Sequence, residues 1–228
     1  MPSTILGGGL PANQKSGFGR ILGGDGGCPG YITNVTPLYQ RLDRENYRPY
    51  SMSEYAGMLL WELTQATSNW VLPRRAFGTR RLLLRLFGAG IGPSAKVCRG
   101  VRIKFPGLLS IGAYSVIGEG TEIYNLGKVS IGSHTVVSQR AYLCAGTHDL
   151  THISRPLVRA EISVGDGVWI CANAFIGPSV SIGDNAVVGA CAVVVRSVEA
   201  TCTVAGNPAR VVGRRRVPYD LMEGEGPP

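Results

Sequence analysis

The sequence predicts an all-β solenoid, a chain wound into stacked coils of short parallel strands, and three observations carry the prediction. Apolar residues recur every six positions from Ile91 to Val204, usually with Gly one step later, as at Ile91-Gly92, Ile111-Gly112, Ile117-Gly118, Ile131-Gly132, Val164-Gly165, Ile176-Gly177, Ile182-Gly183 and Val188-Gly189. Val97, Ile103, Ile123, Val137, Leu143, Ile170 and Val194 keep the beat without the glycine. A period of six fits neither a 3.6-residue helix nor a plain strand and marks a hexapeptide β-helix. The composition agrees: 32 Gly with only five Phe and three Trp suits a coil filled by small β-branched side chains.

The 228 residues divide into four parts. Residues 1–50, rich in Gly, Pro, Asn and Ser, are expected to be loosely ordered, with GGDGGCPG at 23–30 a loop rather than a phosphate cradle, since no strand precedes it. Residues 51–90 read as a helical cap. Ser53 is the candidate N-cap of a helix carrying Tyr55, Met58, Leu59, Leu63 and Trp70, Pro73 interrupts it, and Arg74 to Phe87 makes a second, basic amphipathic stretch. Such a pair suits the open end of a solenoid, where sheet edges need cover. Its apolar faces and arginines equally suit weak peripheral attachment to an anionic membrane.

Residues 91–212 form the coil itself. The beat sorts into Ile91, Val97, Ile103; Ile111, Ile117, Ile123; Ile131, Val137, Leu143; Val164, Ile170, Ile176; and Ile182, Val188, Val194. Three sides per coil predict a triangular prism with these residues inside and the loops at its corners. Gly after the apolar residue suits a tight corner. The beat breaks after Leu143 and resumes at Val164, so a loop at about 146–161 is extruded from a regular scaffold, and such an insertion is often functional. Residues 213–228 form an acidic tail expected to fray.

Charge and cysteines bound the surroundings. A net charge of +8 points to an anionic partner. Nucleic acid is disfavoured, because the basic residues cluster only before and after the coil and no aromatic platform, helix-turn-helix or zinc-finger spacing accompanies them. The six cysteines include no C-x-x-C and read as small buried hydrophobes in a reducing compartment. With no apolar run near the roughly 18 residues of a membrane span and no leader pattern, the expected location is cytoplasmic, with the inner face of the membrane as the place of any attachment.

The array resembles the left-handed β-helix acyltransferases. VGDGVWICANAFIGPSVSIGDNAVVGACAVV followed by VAGNPARVV resembles their O-acetyltransferase branch. RRLLLRLFGAGIG, IYNLGKVSIGSHTVVSQRAYLCAGTHDL and the Pro156-Leu157 loop are similar to the colanic-acid (exopolysaccharide) biosynthesis acetyltransferases. The resemblance spans Leu60 to Arg215. It implies a left-handed coil, a homotrimer with active sites between subunits, acetyl-CoA as co-substrate without a metal, and a sugar or glycan precursor as acceptor.

Acyl transfer from a thioester to an alcohol needs a base for the hydroxyl proton and donors for the developing oxyanion. Histidine suits the first role near neutral pH, and the chain has three. His134 falls at a regular corner, in the position of Asn185, and His152 lies far out on the loop. The resemblance places the catalytic base on His148, where coil gives way to loop, with Asp149 a candidate orienter of its ring. It puts Asn125 and Trp169 at the acceptor, the backbone N–H groups of Ala172 and Ala190 along the cofactor, and Arg210 and the Arg214–Arg216 run near its phosphates. Where relatives have Trp-Ile-Gly this chain has Trp169-Ile170-Cys171, so Cys171 and Cys144 leave a covalent-thiol alternative. A different hydroxyl acceptor (a xenobiotic or serine) is the neighbouring alternative. A zinc lyase of the γ-carbonic anhydrase kind, using His134, His148 and His152, and a non-catalytic scaffold are the alternatives of other classes.

Overall fold

The computed structural model describes residues 50–152 and 154–215. The loosely ordered segment expected over residues 1–50 lies outside them except for Tyr50, and the tail beyond Arg215 lies outside them too. The chain forms a left-handed parallel β-helix whose first coil is capped by two helices.

Three sheets make the sides of the prism. The first stacks β1 (Gly90–Ile91), β4 (Leu109–Ile111), β7 (Val129–Ile131), β12 (Ile162–Val164) and β15 (Ser181–Ile182). The second stacks β2 (Lys96–Val97), β5 (Val116–Ile117), β8 (Val136–Val137), β13 (Trp169–Ile170), β16 (Val187–Val188) and β18 (Cys202–Ala205), with β19 (Arg210–Arg214) folded back antiparallel on the last. The third stacks β3 (Arg102–Ile103), β6 (Glu122–Tyr124), β9 (Tyr142–Cys144), β14 (Phe175–Ile176) and β17 (Val193–Val194). Register follows the six-residue beat. Ile91, Ile111, Ile131, Val164 and Ile182 form one buried column, and Val97, Ile117, Val137, Ile170, Val188 and Val204 a second. Ile103, Ile123, Leu143, Ile176 and Val194 form the third.

The glycines after the inward residues have a different cause from the one the sequence suggested. At the corner between the first and second sheets the left-handed residues are instead Ser94, Tyr114, His134, Gly167, Asn185 and Thr201, with φ between 55° and 63°. Gly92 and Gly183 sit where the next coil stacks directly above, and a Cβ there would lie 2.5 Å from the backbone nitrogens of Ala113 and Ala200. No atom fits in that gap, so close stacking of the coils excludes a side chain.

The cap begins at Ser51 rather than Ser53. Helix α1 (Met52–Val71) opens with a capping box in which Ser51 Oγ accepts from Glu54 N while Glu54 Oε2 accepts from Ser51 N. Trp61 is buried against Phe87, and its indole N–H donates to the Ile103 carbonyl at 2.7 Å. Gln65 and Asn69 accept from the N–H groups of Ile103 and Gly100, which would otherwise face the open end. Helix α2 (Phe77–Leu86) covers the other two sides, with Arg81 donating to Ala95 O and Arg85 to Ile91 O. Arg80 is buried and donates to the carbonyls of Pro73 and Arg74. Arg81 and Arg85 therefore close edges of the first coil while Arg80 ties down the turn between the helices, and the solvent-facing Arg74 and Arg75 follow the exposed Trp70 and Val71 in the chain.

Candidate active site

The extruded segment is an antiparallel hairpin. β10 (Gly146–His148) pairs with β11 (Leu157–Arg159) through Gly146↔Arg159, Thr147↔Val158 and His148↔Leu157. Its base is pinned where both chains cross the corner between the third and first sheets: Ala160 N and Gly127 N both donate to Ala145 O at 3.1 Å. Leu126, fully buried, packs beneath Gly146, where a Cβ would meet Leu126 Cδ1 at 2.7 Å. Gly127 leaves room for the returning strand, since a Cβ there would collide with the Ala160 carbonyl.

His148 ends β10 and is exposed, with Nδ1 2.7 Å from the carbonyl oxygen of Arg155. A carbonyl can only accept, so this bond puts the ring proton on Nδ1 and leaves the Nε2 lone pair turned away from the hairpin. The ring is thus oriented by a backbone atom, which residue identity alone does not signal. Asp149 is turned elsewhere: its Oδ1 accepts from Thr151 N (2.8 Å) and Thr151 Oγ1 (2.6 Å), and its Oδ2 lies 3.9 Å from His152 Nε2. Those Thr151 hydrogen bonds hold its carboxyl below the usual carboxylate range. Asp149 therefore caps the loop turn, and the orienting role expected of it falls to the Arg155 carbonyl.

Asn125 does lie one coil below Ala145, but it is fully buried. Its Oδ1 accepts from Lys104 N and Phe105 N at 3.1 and 3.0 Å, and its Nδ2 donates to Phe105 O. It is a peg between coils, and the acceptor contact expected of it is not available to a side chain so enclosed. Trp169 is half exposed on the outer surface of the second sheet, its indole N–H donating to Ser138 Oγ at 3.0 Å. Ala172 and Ala190 sit at the corner between the second and third sheets, and neither N–H has an acceptor among the described residues. Arg210, paired in register with Ala205, lies at that same end of β19. Arg214, paired with Cys202, lies at the other end, where it meets Glu199 at 3.3 Å. Within one chain, then, His148 stands at one corner of the prism, while Trp169, the free amides and Arg210 belong to the opposite side and its next corner.

The remaining alternatives find little geometry. His134 stacks on Tyr114 with ring centroids 5.1 Å apart at the corner between the first and second sheets, away from the hairpin. Among the described residues no group of three or more His, Cys, Asp and Glu could hold a metal ion. Burial raises the Cys171 thiol pKa, so the thiol stays protonated at neutral pH. Cys144 donates to Gly146 O at 3.4 Å.

The coil has counterparts among known proteins, in sequence and in structure. Residues 161–196 match the family of bacterial transferase hexapeptide repeats (six repeats). The chain is 38% identical over 156 residues to WcaF of Escherichia coli strain K12, by name a colanic acid biosynthesis acetyltransferase, covering 68% of this chain and 86% of that one. It is 28% identical over 136 residues to the galactoside O-acetyltransferase of the same strain, 58% of this chain and 67% of that one. Among solved structures, a hexapeptide-repeat acetyltransferase from Vibrio cholerae O1 biovar eltor, complexed with acetyl-CoA, superposes with a TM-score of 0.68 at 23% identity, covering 77% of this chain and 96% of that one. A galactoside acetyltransferase in complex with coenzyme A gives 0.69 at 23% identity, over 78% and 88%. The chain belongs to the hexapeptide-repeat acetyltransferase family and is an acetyltransferase.

Proposed function

We propose that the protein moves an acetyl group from acetyl-CoA to a hydroxyl of a sugar or glycan precursor in exopolysaccharide biosynthesis. The observation that carries this reading is His148, exposed on a pinned hairpin with Nε2 free. Nε2 takes the proton of the acceptor hydroxyl as its oxygen attacks the thioester carbonyl. The tetrahedral intermediate collapses, the carbon–sulfur bond breaks, and the imidazolium returns the proton to the departing CoA thiolate. The N–H groups of Ala172 and Ala190 are donors for the thioester oxygen and the pantetheine arm, and Arg210 is placed for the cofactor phosphates. Holding both substrates together supplies the proximity contribution, with no acyl-enzyme.

These groups meet only if a second copy supplies the missing side, which supports a homotrimer with sites between subunits. The second face carries an apolar outward column, Val116, Val136, Trp169 and Val187, suited to the hairpin corner of a neighbour. A contact between unlike faces gives a ring where its rotation closes, as in a trimer. No helix among the described residues is long and apolar enough to cross a membrane. The cap nonetheless exposes Leu59, Leu60, Leu63 and Trp70 along α1, with the exposed Arg74 and Arg75 just past its C-terminus, which supports weak docking on the cytoplasmic face of an anionic membrane.

The test is CoA release with purified protein across a panel of sugars, nucleotide sugars, serine and xenobiotic alcohols, with the acetylated hydroxyl located by NMR. Turnover confined to sugars or glycans is expected, and His148→Gln should lower it by about 10²- to 10⁴-fold. Parental turnover in His148→Gln would sink the base assignment, and turnover only on serine or xenobiotics would sink the acceptor class.

A further inference from the structure

Among the described residues, the hairpin carrying His148 has few contacts to hold it. It contains three residue pairs, and neither strand has a buried side chain. An isolated two-stranded hairpin is marginal in water, so its position depends on contacts beyond its own ladder. Below, the crossing at Ala145 supplies them. On its flank the contact comes from the first turn of α1. Arg159, opposite Gly146 in the ladder, places Nη2 2.8 Å from Glu54 Oε1. Glu54 cannot swing freely, because its other oxygen accepts from Ser51 N at 2.8 Å and Ser51 Oγ at 3.0 Å. The Arg159 guanidinium also lies 5.6 Å from the centre of the Tyr50 ring. Tyr50 is itself fixed edge-on to Tyr55 at 5.5 Å and against Phe105 at 5.7 Å.

We infer that Glu54 and Tyr50 are positioning residues for catalysis: the N-terminus of α1 latches β11 through Arg159 and so fixes the strand that presents His148. Helix α1 then has two separate duties. Its middle closes the end of the coil through Trp61, Gln65 and Asn69, and its first turn aims the reactive hairpin. The Glu54 and Arg159 side chains are about a third exposed (32% and 39%), so the pair adds little to global stability. Its effect falls on local opening of the hairpin, which is set by few contacts. The catalytic half of this inference rests on His148 being the base.

The experiment compares Glu54→Gln, Arg159→Met and the double variant in the full chain. Glutamine keeps the capping box at the third helical position, so α1 stays capped while the charge on the latch is lost. Amide hydrogen exchange without substrate is read at Asp149, whose N–H donates to Pro156 O across the hairpin at 3.0 Å. Each single variant should exchange about five-fold faster there, the upper range for an exposed ion pair, with no further gain in the double variant and unchanged melting. kcat should fall by a similar factor while KM for acetyl-CoA holds. Unchanged exchange, additive single effects, or faster exchange at parental kcat would each overturn the latch. Failure of the base assignment shows separately, as retained turnover in His148→Gln.

Discussion

The imidazole of His148 is held by the carbonyl of Arg155, seven residues further on, at 2.7 Å from Nδ1. This backbone bond chooses the tautomer and points the ring. It also ties the ring to the turn of the hairpin, so the imidazole and the loop conformation form one unit. In the free protein at pH 8, ¹⁵N chemical shifts of His148 should show Nδ1 protonated and Nε2 bare. The opposite tautomer would remove the lone pair the mechanism uses.

Asp149 serves the turn rather than the ring. Asp149→Asn keeps an oxygen for the Thr151 N–H, and its effect on turnover should stay within about three-fold, as for surface substitutions worth about 0.5 kcal/mol. A loss approaching that of His148→Gln, measured by CoA release, would return the orienting role to Asp149.

Gly127 is where a side chain would unseat the hairpin. In Gly127→Ala the new methyl meets the Ala160 carbonyl, and backbone must move to admit it, at a cost of about 1–3 kcal/mol. Thermal melting should drop accordingly and turnover should fall further than stability alone explains, since the displaced segment directly follows β11. Parental activity at a lowered Tm would show that the hairpin tolerates a shifted base.

Acid should open the latch, and the sign follows from Glu54. Hydrogen bonds from Ser51 and then Arg159 lower its pKa below the ordinary value of 4.5. A carboxylate whose folded pKa is depressed contributes fully above the unfolded value and loses its contribution as pH falls through the folded one. Between pH 6 and 8 the Arg159 guanidinium NMR signals should therefore not move with Glu54, and they should shift only well into acid, below pH 4.5. A transition near neutrality would assign the contact to another group.

How much of this the sequence carried depends on what kind of atom does the work. The coil register was legible residue by residue, because inward positions of a stacked prism must be apolar and recur with the coil. The break at Leu143 and the histidine beside it were legible for the same reason, as a failure of the pattern. The hairpin within the loop was not: three pairs without a buried face leave no alternation to read. The orienter of His148 was missed because it is a carbonyl, which every residue possesses. Asn125 was placed correctly along the coil but its burial was not foreseen, since a corner position does not reveal which way an amide turns. The cap expected at Ser53 lies at Ser51, where Glu54 three residues on completes the capping box, a spacing legible in the sequence.

The strand β19 turns back on β18 instead of starting another coil, and it brings Arg210 and Arg214 to the rim of the second sheet. At the opposite rim, side chains of α1 and α2 occupy the amides and carbonyls of the first coil. A parallel β-helix is otherwise a structure with no natural length, for each coil is a template for the next, whether from its own chain or from another molecule. A strand running the wrong way, fringed with positive charge, refuses that next coil, and the helices refuse it at the other end. Molecules of this protein should thus not stack end to end, and the two terminal devices are what separate a discrete enzyme from the first segment of a fibre.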